Sequence, residues 1–299
     1  LPFAYRLSQY LKTLAPDIVH CHSRRGADIL GGLAASLADI PTVASRRVDN
    51  TEMRLMAALR YRPFSKVIAI SNAVADVLRD RGVEAGRLVI IRDAVDAETL
   101  AEAPDCRGFR DEFSVAADDF VIAAAGQLIP RKGHRYLLQA LADLKDRFPA
   151  IKLVIFGEGY LNTSLRAQAA ALGLGDVVQF AGFRDDLDTF LGCFDLFAHP
   201  ALAEGLGVAA LKAAAAGLPV VGFEAGGMVE AVVHEETGLL VAPEDSDALA
   251  RAIARFIEQP NLGRTFGAAG QRRMREQFSI DTMADEHVAL YHSVLHGDN

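Results

Sequence analysis

Tryptophan is absent from this 299-residue chain, and aromatic residues make up only 7% of it. Basic charge is also short: 31 Lys and Arg face 39 Asp and Glu, for a net charge of −8. Nucleic-acid grooves interleave aromatic and basic side chains, and no such platform is present, so no nucleic-acid partner is expected. Only three cysteines occur, Cys21, Cys106 and Cys193, far apart. They show neither zinc-ligand spacing nor a disulfide framework, and they suit a reducing compartment. No apolar run approaches the ~18–20 residues that a spanning helix needs. No basic start leads into an apolar stretch and a cleavage site, so no signal peptide is read. The 25 glycines and 11 prolines are scattered, which excludes collagen-like and low-complexity chains.

Against these absences, 51% of residues are hydrophobic and 23% are charged, enough apolar matter for a sizeable core and too much for disorder. Length suits one large domain or two ordinary ones. Short β-branched runs at 17–22, 42–45, 66–70 and 88–91 read as strands, and a second series follows at 120–125, 152–156, 177–181, 196–198, 220–222 and 239–241. Helical spacing fills the gaps, most clearly at 137–144, 165–172, 209–216 and 248–257. This alternation reads as α/β architecture, with parallel sheets covered by helices. The segment 94–110 is irregular and acidic, so two Rossmann-like, doubly wound domains joined near residues 93–105 are expected, with domains at 1–96 and 97–278. After Gly270 the pattern becomes helical, with a break near Ser279.

The opening is unusual. Residue 1 is Leu, and the chain starts inside an amphipathic helix (Phe3, Leu7, Tyr10, Leu11, Leu14) with no strand before it. A first domain lacking its initial strand is expected, as in a truncated longer chain. Residues 1–70 hold ten Lys and Arg, among them Arg24 and Arg25, against five acids, leaving +5 there and −13 beyond. That front suits an anionic partner or is simply solvated.

Three strand–glycine–helix junctions carry the chemistry. Residues 126–133 read Gly-Gln-Leu-Ile-Pro-Arg-Lys-Gly between a strand and a helix, where free N–H groups and Lys132 suit a phosphate. Residues 199–208 read His-Pro-Ala-Leu-Ala-Glu-Gly-Leu-Gly-Val and open an Ala-rich helix. Gly205 and Gly207 permit close backbone approach, and Glu204 either accepts from sugar hydroxyls or caps the helix. Residues 225–230, Ala-Gly-Gly-Met-Val-Glu, precede Thr-Gly-Leu-Leu-Val at 237–241.

In this order and spacing, with Phe-Ala-Gly-Phe-Arg at 180–184, the junctions resemble the C-terminal domain of the GT-B glycosyltransferases, specifically the large retaining family 4. The likeness is strong over 118–278 and looser over 15–96, through Pro-Asp-Ile-Val-His-Cys-His-Ser at 16–23 and Ile70-Ser71. It implies transfer of a sugar from a nucleoside diphosphate sugar with retained configuration, two Rossmann-like domains around a cleft, no cofactor and no essential metal. It also implies that 279–299 packs back on the first domain. The resemblance assigns Lys132 to the diphosphate, Glu204 to the donor sugar, and Gly205, Leu206 and Gly207 to backbone contacts with phosphate. Gly126, Gln127, Phe183 and Lys212 complete the expected donor set. Glu204, Lys132 and His22 are expected nearest the reaction.

The chain departs from the family at Gln127, where an arginine is usual, and at Lys212, where a second glutamate accepts from ribose hydroxyls. Lysine only donates. Lys212 either reaches toward phosphate or faces solvent. On the acceptor side, Ser-Arg-Arg-Val-Asp at 45–49 resembles a subgroup associated with lipopolysaccharide and other surface glycans. Arg46 and Arg47 would hold an anionic acceptor, with His22 beside them or purely structural. The stretch 53–64 is basic and amphipathic, fitting an anionic membrane surface at the cytoplasmic face or an ordinary domain helix. The leading expectation is a transferase acting on a cell-envelope glycan or lipid-linked acceptor. The alternative is a degenerate homologue that binds nucleotide sugar, or a partner, without turnover. Phosphorolysis would need a cofactor-lysine context that is not present.

Overall fold

The structure is a computed structural model and describes residues 2–22, 26–50 and 52–297. Ser23, Arg24 and Arg25 of the sequence reading lie outside the described residues. The chain divides into two compact units, Leu1–Asp93 with Asp281–Asn299, and Ala94–Ile280.

The first unit is built on four parallel strands in sequential order: β1 (Val19–His22), β2 (Thr42–Arg46), β3 (Lys66–Ala69) and β4 (Leu88–Ile90). Ser71 starts the next helix, Asn72–Asp80, by accepting from the Val74 N–H at 3.0 Å. The last helix, Ile280–His296, buries Leu290 against Val43, Ile68 and Ile91 of this unit. The opening helix, Pro2–Leu14, turns a different face inward from the one its aromatics suggested. Ala4, Ser8 and Leu11 are buried, whereas Phe3, Tyr10 and Leu14 are exposed. Leu11 packs on Ala34 and Ala35 of the helix Ala27–Leu37, where small residues let two helices approach.

The second unit holds six parallel strands: β5 (Phe120–Ala125), β6 (Ile151–Phe156), β7 (Val178–Gly182), β8 (Leu196–His199), β9 (Val220–Phe223) and β10 (Gly238–Val241). Their order is β10-β9-β8-β5-β6-β7, so the winding direction reverses between β5 and β8. Helices cover both faces, which is why β8 and β9 are buried at every residue and read as continuous apolar runs. Leu137, Leu138 and Leu141 from one helix and Leu249 and Ile253 from another join Ile122, Leu153 and Ile155 in one core.

Two expectations are corrected here. The segment after Asp93 contains two short helices, Ala97–Leu100 and Cys106–Glu112, each started by an aspartate. Asp96 accepts from the Thr99 N–H and Asp105 from the Arg107 N–H, both at 3.1 Å. Cys106 and Cys193, 87 residues apart, form a disulfide. Sequence spacing carries no signal for it, because the topology alone brings the two together, and the compartment argument drawn from that spacing falls with it. Cys21 is buried and free, its thiol pushed up to about 11 by burial and by the Asp28 charge.

Candidate active site

Doubly wound sheets take ligands at the carboxyl ends of strands where the order reverses. Here that place lies between β5 and β8, which pair through Ile122 with Leu196 and Ala123 with Phe197. The loops leaving these two strands carry the first two glycine motifs. Gly133 has φ +68°, and a Cβ there would lie 1.8 Å from the Pro200 carbonyl oxygen, so only glycine lets the loops meet. The Leu202 N–H donates to the Arg131 carbonyl at 2.8 Å, and Arg131 Nη2 donates to the Ala203 carbonyl at 2.9 Å. The third motif closes from the other side. Side chains on Gly226 or Gly227 would collide with the Glu204 and Gly205 carbonyls, and the Gly227 N–H donates to the former at 2.8 Å.

The clamped segment presents Glu204. Its Oε2 accepts from Lys132 Nζ at 2.5 Å and lies 2.9 Å from His199 Nε2, while Oε1 accepts from the Gly205 N–H at 3.1 Å. Burial pushes the carboxyl up, but the His199 bond and charge and the Lys132 charge outweigh it and hold the group at about 2. An ionised carboxylate only accepts, so His199 carries its proton on Nε2. Glu204 is not a helix cap: the helix Val208–Ala215 starts from Gly207, at φ +87°, without side-chain capping. The helix His134–Leu144 starts from Gly133 in the same way. Each therefore offers uncapped N–H groups and a partial positive charge. His134 is buried beside the Gly126 and Gln127 backbone; burial first, then His199 and Lys132, lower it to about 4, so it is neutral at pH 7. Gln127 is exposed. Leu206 is buried in the core, leaving only its backbone for a ligand.

Phe183 and Lys212 lie in an adjoining cavity of about 400 Å³. Phe183 is 71% exposed, and Lys212 Nζ donates to Asp188 Oδ2 at 2.5 Å. His199 and Asp188 were missed in the sequence. His199 had a signal, as a histidine closing a buried strand five positions before the glutamate. Asp188 had none, being one acid in a run of polar turn residues.

In the first unit, His22, Ser45, Arg47 and Asp93 at the strand ends share a cavity of about 200 Å³ with His287 and Tyr291 of the last helix. His20 Nδ1 lies 2.6 Å from the Tyr291 hydroxyl and Nε2 lies 2.8 Å from the Ser45 hydroxyl, and the ring sits 4.2 Å from that of His22. Burial lowers His20 to about 4, helped by His22, His287 and Arg47. Burial lowers His22 as well, with Arg47 and His287 adding to it and Asp93 opposing. Arg46 is buried and donates to the Val48 and Asn50 carbonyls at 2.9 and 2.6 Å. Arg47 donates to Asp93 Oδ1, at 2.6 Å from Nη2. The helix Arg54–Tyr61 exposes Leu55, Met56 and Leu59 beside Met53, while Arg60 faces Asp28 and Glu52, each at 3.3 Å. Among the described residues, no helix is long and apolar enough to cross a membrane, and no group of three or more His, Cys, Asp or Glu is arranged to hold a metal ion.

Comparison with known proteins shows the family and the fold. The family described as glycosyl transferases group 1 matches residues 108–273, and Glycosyltransferase Family 4 matches residues 1–99. The chain is 27% identical over 307 residues to the putative glycosyltransferase EpsD of Bacillus subtilis (strain 168), covering 94% of this chain and 78% of that one. It is 32% identical over 210 residues to the GDP-mannose-dependent alpha-(1-6)-phosphatidylinositol monomannoside mannosyltransferase of Mycobacterium tuberculosis (strain ATCC 25618 / H37Rv), covering 67% and 54% of the two chains. The crystal structure of Anabaena Alr3699/HepE in complex with UDP superposes with a TM-score of 0.90 at 25% identity, covering 98% of this chain and 82% of that one.

Proposed function

The chain belongs to the group 1 glycosyl transferases and has their GT-B fold, and from that premise we propose that it moves a sugar from a nucleoside diphosphate sugar to a hydroxyl of a cell-envelope glycan or lipid-linked acceptor, with retained configuration and without an essential metal. The observation that carries the donor half is the meeting of Lys132, Glu204 and two glycine-started helices at the point where the sheet order reverses. A diphosphate suits uncapped helix starts and a lysine, and a carboxylate beside them suits sugar hydroxyls. The structural relative crystallised with UDP supports the donor class, and the mannosyltransferase relative, which by its name acts on a phosphatidylinositol mannoside, supports a lipid-linked acceptor.

In the reaction, the bond from the sugar's anomeric carbon to the diphosphate oxygen breaks. A bond to the acceptor oxygen forms on the same face, and the acceptor proton passes to the leaving phosphate. The protein supplies no nucleophile. Lys132 and the helix-start amides stabilise the charge that develops on the leaving diphosphate, and Glu204 orients the sugar. The exposed Met53, Leu55, Met56 and Leu59 would rest on an anionic bilayer at the cytoplasmic face.

A second reading, binding without turnover, is favoured by two side chains: uncharged Gln127 at the phosphate loop and Lys212 engaged with Asp188. Calorimetric titration with UDP-, GDP- and ADP-sugars, beside Lys132→Ala, tests the donor half. One donor should bind, and it should bind more weakly to the variant. Donor binding without hydrolysis or transfer to any offered acceptor would favour the second reading, and no binding at all by the folded chain would end the first and leave the second only in its partner-binding form.

A further inference from the structure

The Asp188–Lys212 pair carries an inference that rests on the donor reading above and goes beyond it. The cavity beside the helix start is floored by apolar side chains, Leu187, Leu191 and Val208, and rimmed by the exposed Phe183 ring. Val208 belongs to the same first helical turn that offers its N–H groups to a diphosphate. A nucleoside attached to that diphosphate therefore falls into this cavity, with a flat face for its base. Its ribose brings two neighbouring hydroxyls, and desolvated hydroxyls need acceptors. Lys212, on the helix, cannot accept.

We infer that Asp188, held in place by Lys212, is the group that accepts the ribose hydroxyls and so sets the preference for a ribonucleotide. Three features favour it over the neighbouring Asp185, which also lines the cavity. Asp188 is anchored by the 2.5 Å bond from Lys212 Nζ to Oδ2. Its Oδ1 has no hydrogen-bond partner among the described residues. The paired ammonium also offsets its charge, so the carboxylate does not repel a diphosphate at the helix start. The Arg184 guanidinium cannot take over the anchoring role, because it is bound to Glu112 and Asp186.

The test is calorimetry on the full chain with UDP, GDP and ADP, and with the 2′,3′-dideoxy form of whichever binds. Asp188→Ala should weaken the ribonucleotide roughly tenfold to fiftyfold, as loss of a charged acceptor does. The dideoxy form should bind wild type and variant within twofold of each other, because the contact is then already missing. Asp185→Ala should leave both unchanged. The double variant Asp188→Ala/Lys212→Ala controls for a freed lysine reaching phosphate and should match the single variant for the dideoxy form. Thermal melting confirms that each variant is folded. Equal affinity of Asp188→Ala and wild type for the ribonucleotide, or the same loss for the dideoxy form, overturns the assignment and leaves the donor reading intact. No nucleotide binding by the folded wild type overturns the donor reading and the assignment together.

Discussion

The two units place their polar groups at the same end of the same kind of sheet, yet they hold them in different electrical states. At the junction of β5 and β8 the groups are charged and locked to one another, with Glu204 between Lys132 and His199. At the ends of β1 and β2 they are rings and hydroxyls beside one ion pair, Arg47 with Asp93, with His20 and His22 both lowered by burial and His20 between Tyr291 and Ser45. The two arginines that gave the front its basic character, Arg46 and Arg47, are engaged by backbone carbonyls and by Asp93. Charge is assembled where a diphosphate would leave. In the first unit the histidine rings and hydroxyls share their cavity with a single ion pair that is closed on itself.

The comparison breaks most visibly at Lys132. Lys132→Ala should lower kcat by about 100- to 1000-fold, the cost of removing one stabilising charge from a leaving group. Glu204→Gln should cost nearly as much, and the pair together less than the product, because the two share one hydrogen bond. Steady-state kinetics on the four proteins checks this, and full additivity would mean that the two act separately.

The disulfide comes next and belongs to the second unit alone. It closes an 87-residue loop, so Cys193→Ser should destabilise that unit by about 2–4 kcal/mol, read as faster amide exchange in 94–280 than in 1–93. Thiol titration of the denatured, unreduced chain should find one thiol, Cys21.

How much of this was legible follows from the physics of each signal. Ten strands could be read because buried parallel strands are β-branched runs cut off by turns, and the observed ends lie within two residues of the expected ones, as at β1 and β10. The glycine junctions could be read because Gly133 and Gly207 are demanded by positive φ in consecutive sequence. What stayed hidden depends on contacts between distant segments. Cys106 meets Cys193 only after folding, and Asp188 meets Lys212 across 24 positions. Arg46 looked like an acceptor contact because its residue type is basic, whereas its guanidinium turns back on its own loop. The Asp96 and Asp105 helix starts were within reach, since an aspartate is a preferred residue at the start of a helix.

Acid should reveal one window that both regions share and one that only the second has. Glu204 sits below its ordinary 4.5, at about 2, so its contribution to stability is complete above about 4.5 and fades as the pH falls toward 2. His20 sits below its ordinary 6.5, at about 4, because the fold prefers the neutral ring; its contribution is complete above about 6.5 and fades between there and 4. His134 adds a share of the same window to the second unit. Amide exchange across pH 7 to 3 should therefore show both 1–93 and 94–280 loosening between about 6.5 and 4, and 94–280 alone loosening further below about 4.5. His20→Gln should flatten the upper window in that unit, and Glu204→Gln the lower window in the other. Absence of the lower window from 94–280 in wild type would erase the electrical distinction.

The smallest effect is also the sharpest on this point. Tyr291→Phe removes one hydroxyl, and with it the 2.6 Å bond to His20 Nδ1, while keeping the ring that packs against His287. A neutral hydrogen bond contributes about 1 kcal/mol, so the expected change is roughly fivefold. If the rings of this cavity only position an incoming hydroxyl, that change falls on the acceptor KM, with kcat and donor affinity unchanged, because nothing charged has moved. His20 keeps its bond to Ser45 and stays neutral, so the pH profile between 6 and 8 should keep its shape. A loss of kcat approaching that of Lys132→Ala would give His20 a part in the proton's path, and the first unit would then be a second seat of chemistry instead of a cradle for the acceptor.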